Sequence, residues 1–197
     1  MDVDAVRIPR RREPINTLTG IFLKSVYFLD RELTKCAIVG IFKNRGDGLG
    51  VLFSGRKGNV HLPYAVFNQF SDHLNEVTLA LERKKKMRIK LDVGTCGEDI
   101  KVCSVFGKPH VFLYDGEHTL TLNPFEWAQF TNNFPLVRRY LTELSMNEEP
   151  VRDHLRRLIE AEEVEVIDTT GLSAPVARRL FDEVQYYKRW PDGVGSG

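Results

Sequence analysis

The sequence predicts an α+β protein: two tandem modules, each a four-stranded antiparallel sheet plus one helix, followed by a small helical C-terminal region. Three observations carry this. First, apolar positions recur at an offset of 60 residues: Val60, Leu62, Phe67, Phe70, Leu74, Val77 and Leu81 are echoed by Leu120, Leu122, Trp127, Phe130, Phe134, Val137 and Leu141, with Gln69 echoed by Gln129. A repeat of that period means two copies of one unit. Second, in each copy several stretches of strand-like, partly alternating residues precede one stretch at three- and four-residue spacing. Third, the stretches are separated by strong turn signals, including the glycine-rich loop 44–48, Gly55-Arg56-Lys57-Gly58 and Asp115-Gly116.

The elements follow in order. Residues 1–17 read as a mobile basic arm, with Arg7, Arg10, Arg11 and Arg12 and two prolines, Pro9 and Pro14. As a solvated tail the arm needs no partner; as a basic arm it would touch phosphates or serve as a nuclear address. The first module spans 18–84, with strands at 21–29, 35–43, 49–53 and 59–62 and a helix from Pro63 to about Lys84. The second spans 85–147. Its first strand, 87–93, alternates Met87, Ile89, Leu91 and Val93 with Arg88, Lys90 and Asp92. Strands at 99–106, 110–114 and 118–122 follow, and a helix runs from Pro124 to about Ser145. Asn123 can cap that helix, and Pro124 fits its first turn, where a missing N–H is no loss. Trp127, in phase with Phe130 and Phe134, belongs to the core.

Composition changes after Asn147. Residues 150–162 form a charged helix with Val151, Leu155, Leu158 and Ile159 on one face; 164–167 is ambiguous; another helix starts near Gly171 and carries Val176, Leu180, Phe181 and Val184. The helical region is taken as 148–190 and the flexible tail as 191–197. A unit of about 60 residues alone buries too small a share of its surface, and packing two together solves that.

The chain has 197 residues, 42% of them hydrophobic and 28% charged, the profile of an ordinary soluble domain. Its net charge of +1 hides an asymmetry: residues 1–110 hold 19 Lys+Arg against 12 Asp+Glu, and residues 111–197 hold 9 against 15. A basic first part suits an anionic partner, nucleic acid being the commonest soluble one. Cys36, Cys96 and Cys103 lack metal-type spacing and read as thiols of a reducing compartment. No apolar run approaches the roughly 18 residues of a membrane span. The expectation is a soluble intracellular protein, nuclear or otherwise located with DNA, with no metal or other cofactor.

With the repeat in view, Gly55-Arg56-Lys57-Gly58 in the first copy and Leu122-Asn123-Pro124 with Trp127 in the second are signature-like. The chain resembles the transcriptional positive cofactor four family of single-stranded-DNA-binding coactivators, whose motif is split here between the copies. Lys86-Met87-Arg88 also matches that family's pattern. The resemblance covers about residues 20–145 and implies an intramolecular pseudo-dimer, monomeric or further assembled. It implies sequence-tolerant binding of single-stranded DNA, with RNA left open, in transcription, replication or repair. Such binding needs cations for phosphates and exposed rings for bases. Arg56 and Lys57 carry over onto the family's basic turn. Lys24, Lys43 and Arg45 in the first copy, and Arg88, Lys90, Lys101 and Lys108 in the second, match its binding surface. Tyr27, Phe28, Phe42 and Phe106 are the stacking candidates, sheet core being the alternative for each. The second copy has Asp115-Gly116-Glu117-His118 where the basic turn belongs, so it is expected to bind weakly or to serve as structural partner.

Two alternatives stay open. The stretch 167–180 looks like the turn and recognition helix of a helix-turn-helix protein, offering Arg178 and Arg179 to duplex DNA. Otherwise the C-terminal helices pack on the repeat or bind a protein partner; the second alternative is a scaffold whose sheets pair with protein, without nucleic acid. No catalysis is expected, because none of the five histidines forms a ligand pair and no nucleophile carries an elbow motif.

Overall fold

The computed structural model describes residues 20–43, 48–93, 96–162, 167 and 170–189. The expected basic arm, Arg45, most of the ambiguous stretch at 164–167 and the tail lie outside the described residues. The architecture is α+β. Strands β1 (Ile21–Phe28), β2 (Cys36–Phe42), β3 (Gly48–Gly55) and β4 (Gly58–Pro63) form one antiparallel sheet in sequence order. After helices α1 (Tyr64–Asp72) and α2 (Leu74–Glu82), strands β5 (Met87–Lys90), β6 (Asp99–Val105), β7 (Lys108–Tyr114) and β8 (Thr119–Leu122) form a second such sheet. Helices α3 (Pro124–Met146), α4 (Glu148–Glu160) and α5 (Ala174–Arg189) complete the chain. No described helix is long and apolar enough to cross a membrane.

The helix expected over 63–84 is two helices. His73 takes φ −100° and ψ 1°, which ends the α1 ladder, and its N–H bonds back to the carbonyls of Phe70 and Ser71. The break changes the direction of the apolar stripe. α1 packs on β3 and β4 of its own sheet, whereas α2 packs on β6 and β7 of the other. α3 makes the reciprocal crossing, lying over β1, β2 and β3 as well as β7 and β8. It starts as the sequence suggests, with a capping box in which Asn123 and Glu126 exchange hydrogen bonds at 2.8 and 2.9 Å.

The crossing gives both repeats a single core. Phe53 of β3, Phe70 of α1 and Phe130 of α3 meet with ring centroids 5.0–5.8 Å apart, and Trp127 packs beside them. Trp127 is 1% exposed, and its Nε1–H donates to Thr78 Oγ1 of α2 at 2.9 Å. A buried indole needs such a partner.

The C-terminal helices pack on the repeat. α5 lies along β1, where a bulge between Phe22 and Ser25 puts Leu23 at φ 50° and leaves backbone groups unpaired by the ladder. Glu183 Oε2 accepts from the Leu23 N–H at 2.6 Å, Tyr140 donates its hydroxyl to the Leu23 carbonyl at 2.5 Å, and Arg179 donates to the Lys24 carbonyl. The open edge of the first sheet is thereby closed by side chains.

Candidate nucleic-acid interface

The two sheets abut along their edge strands β4 and β8. Hairpin tips are exchanged across this seam. The β3–β4 tip reaches β8, and a Cβ on Gly55 would come within 2.7 Å of Leu120 Cδ1, so a side chain there would require Leu120 to move. In return, Asp115 of the β7–β8 tip accepts the backbone N–H of His61 in β4 at 2.9 Å. Lys35 fastens the same seam, donating to the Thr121 carbonyl and to Glu126, both at 2.8 Å. Each sheet is therefore bordered by the other repeat's hairpin. The second sheet receives the basic tip, Arg56 and Lys57; the first receives the acidic tip, Asp115 and Glu117.

The faces turned away from the helices differ as sharply. On the second sheet, Ile100, Val102, Val111 and Leu113 point into the core, so their alternates point out. Reading across the register, Arg88 stands opposite Lys101, Lys101 opposite Phe112 and Phe112 opposite Thr121. Lys90, Asp99, Tyr114 and Thr119 form the next row. Arg88, Lys90, Lys101 and Lys108 are all exposed, while Phe112 and Tyr114 are half-buried. The corresponding face of the first sheet is apolar. Ile21, Cys36, Ile38, Phe42 and Leu52 cluster there, none more than 6% exposed. Gly50 lets His61 fold onto that face, since a Cβ would sit 2.8 Å from the His61 Nε2, and the imidazole packs on Phe42 at 4.5 Å. Burial, then the Asp30 charge nearby, push the Cys36 thiol pKa up to about 11.

The residues singled out in the sequence thus separate. Arg88, Lys90 and Lys101 share one open face, with Lys108 at its hairpin end and the Arg56–Lys57 tip at its β8 side. Arg56 also reaches Glu32 at 3.3 Å, but both side chains are mostly in water, where such a pair contributes little. Phe106, at φ 48° in the β6–β7 turn, is fully exposed. Phe28 is 45% exposed on the first sheet. The others are engaged elsewhere. Phe42 is 2% exposed, closed to stacking by the packing that covers it. Tyr27 turns to the helix side and donates to the Leu136 carbonyl at 3.4 Å. Lys43 lies over the Tyr187 ring at 5.3 Å, and Lys24 sits half-buried at the bulge held by α5. Of the two C-terminal arginines, Arg179 is held by Glu183 and the Lys24 carbonyl, and Arg178 pairs with Asp182 at 3.6 Å.

Phe112 and Tyr114 were missed in the sequence, although β7 alternates them with Val111 and Leu113. Among the described residues no group of three or more His, Cys, Asp or Glu side chains could hold a metal ion. No protein-family model, curated protein or solved structure matches this chain.

Proposed function

We propose that the chain binds single-stranded nucleic acid, DNA on the family resemblance, across the outer face of its second sheet, with the Arg56–Lys57 hairpin extending that face. The observation carrying this is the row of Arg88, Lys101 and Phe112, which sets two basic side chains, both exposed, beside a half-buried aromatic ring. Cations follow the phosphate chain, and rings stack on bases of any identity, so the binding is sequence-tolerant. From the sequence the second copy, lacking the basic turn, is expected to bind weakly or to serve as structural partner. The apolar face and acidic border of the first sheet instead favour one strand site per chain, on the second sheet. On this reading the protein acts where strands are open, in transcription, replication or repair, in the nucleus or an equivalent DNA-containing compartment.

Fluorescence anisotropy with a labelled oligo-dT of twelve nucleotides, titrated at rising salt, tests it. Binding should saturate at one strand site per chain and weaken steeply with salt, because displaced counterions drive phosphate contacts. No binding at about 50 mM salt, where such contacts are strong, overturns the reading.

A further inference from the structure

Arg88 does not behave as a free cation on this face. Its Nε and Nη2 both donate to Asp99 Oδ2, at 2.8 and 2.5 Å. The Asp99 side chain is 4% exposed, while that of Arg88 is 54% exposed. A buried carboxylate therefore holds the guanidinium by one edge and offsets its charge, while about half of the Arg88 side chain stays in solvent. Lys101, on the neighbouring strand, is exposed and pairs with no carboxylate among the described residues. Phe112 is one strand further. Strands lie about 4.8 Å apart, so the backbone positions of Arg88 and Phe112 stand on the order of 10 Å from each other with Lys101 between them, and the bonds to Asp99 lean the guanidinium toward the neighbouring row.

We infer that these three residues form a dinucleotide subsite: Arg88 is a base-stacking platform, Lys101 takes the intervening phosphate, and Phe112 stacks the next base. This rests on the proposed strand site. A guanidinium plane is a good surface for an unpaired base, and an ammonium cannot replace it. Asp99 is a positioning residue, acting through Arg88. An Arg88 that contacted phosphate would instead need its charge uncompensated and its side chain free to follow the strand.

The full chain is titrated with fluorescein-labelled dT8 between about 50 and 300 mM salt, each variant being checked for a wild-type circular dichroism spectrum. Arg88→Lys, which keeps the charge and partners Asp99, should weaken binding about tenfold or more, the scale of one lost base stack, with an unchanged salt slope. Lys101→Gln should flatten the slope by about 0.7, the share of one single-strand phosphate contact. Asp99→Asn should steepen it by a similar amount as Arg88 is released toward phosphate. Against an octamer with abasic sites throughout, Arg88→Lys should match the wild type, since there is no base to stack. Arg88→Lys binding dT8 within twofold of wild type, or losing equally on the abasic octamer, overturns the platform while leaving the strand site intact. Wild-type protein that ignores dT8 at about 50 mM salt overturns both.

Discussion

The carboxylate of Asp115 accepts the backbone N–H of His61 at 2.9 Å, so the acidic hairpin tip of one repeat closes the edge strand of the other. Its second oxygen accepts the N–H groups of Glu117 and His118 at 3.1 and 2.8 Å, which shapes the tip that reaches across. The sheets are thus joined at the seam by side chains, and the acidic residue of the β7–β8 turn has a structural use.

Asp115→Ala should destabilise the protein by about 1–3 kcal/mol, because a partly buried N–H loses its acceptor. Urea denaturation should show a lower midpoint at an unchanged m-value. A midpoint equal to wild type would mean the carboxylate is dispensable at the seam.

One core shared by both repeats should unfold in one transition. Trp127→Ala, which opens a cavity where Phe70, Phe130 and α2 converge, should cost about 3–5 kcal/mol and keep that single transition. Two separated transitions, by fluorescence and far-ultraviolet circular dichroism together, would instead describe two independent modules.

Replacing Arg56 and Lys57 together with alanine should weaken oligo-dT binding and flatten the salt slope by about 1.4, or 0.7 per contact, without changing stability. Lys43→Ala should do the opposite: lose about 0.5–1 kcal/mol of stability through the Tyr187 contact and leave affinity unchanged. Unaltered binding in the double variant would move the site away from the hairpin.

Cys36 separates from the other thiols by burial. With its pKa raised from 9.0 to about 11, it should resist a thiol reagent at pH 8, while exposed Cys96 reacts quickly. A thiol whose folded pKa is raised contributes stability that is full below pH 9 and declines as pH rises toward 11. Cys36→Ala should therefore flatten the alkaline limb of a stability–pH profile. Rapid labelling of Cys36 in the folded protein would show that the apolar face of the first sheet is open.

Much of the fold is legible in the chain because local periodicity reports it. The alternation in 87–90 and 99–105, the Asn123–Pro124 helix start and the 60-residue echo between Phe70 and Phe130 each state an element or its duplication. The break at His73 is not legible, since Val77 and Leu81 continue the helical spacing of Phe67 and Phe70 while the axis turns toward the other sheet.

The candidate binding residues are legible as residue types, and the structure distributes them over separate surfaces. Alternation tells that a strand has two faces, and it cannot tell what lies over each. Phe42 and Phe112 both lie on the sheet faces turned away from the helices, yet one is packed under His61 and the other lies beside an open lysine. The repeat implies two equal modules, and the unequal hairpins Gly55–Gly58 and Asp115–His118 are visible as sequence. Which sheet each hairpin borders depends on the crossing of the seam, a contact between residues some 60 positions apart. Local sequence therefore determined the strands, the helix caps and the duplication, because these depend on neighbours within a few residues. Tertiary packing decided which face stays open and which cations share it, because burial is set by whichever distant segment comes to lie against a strand.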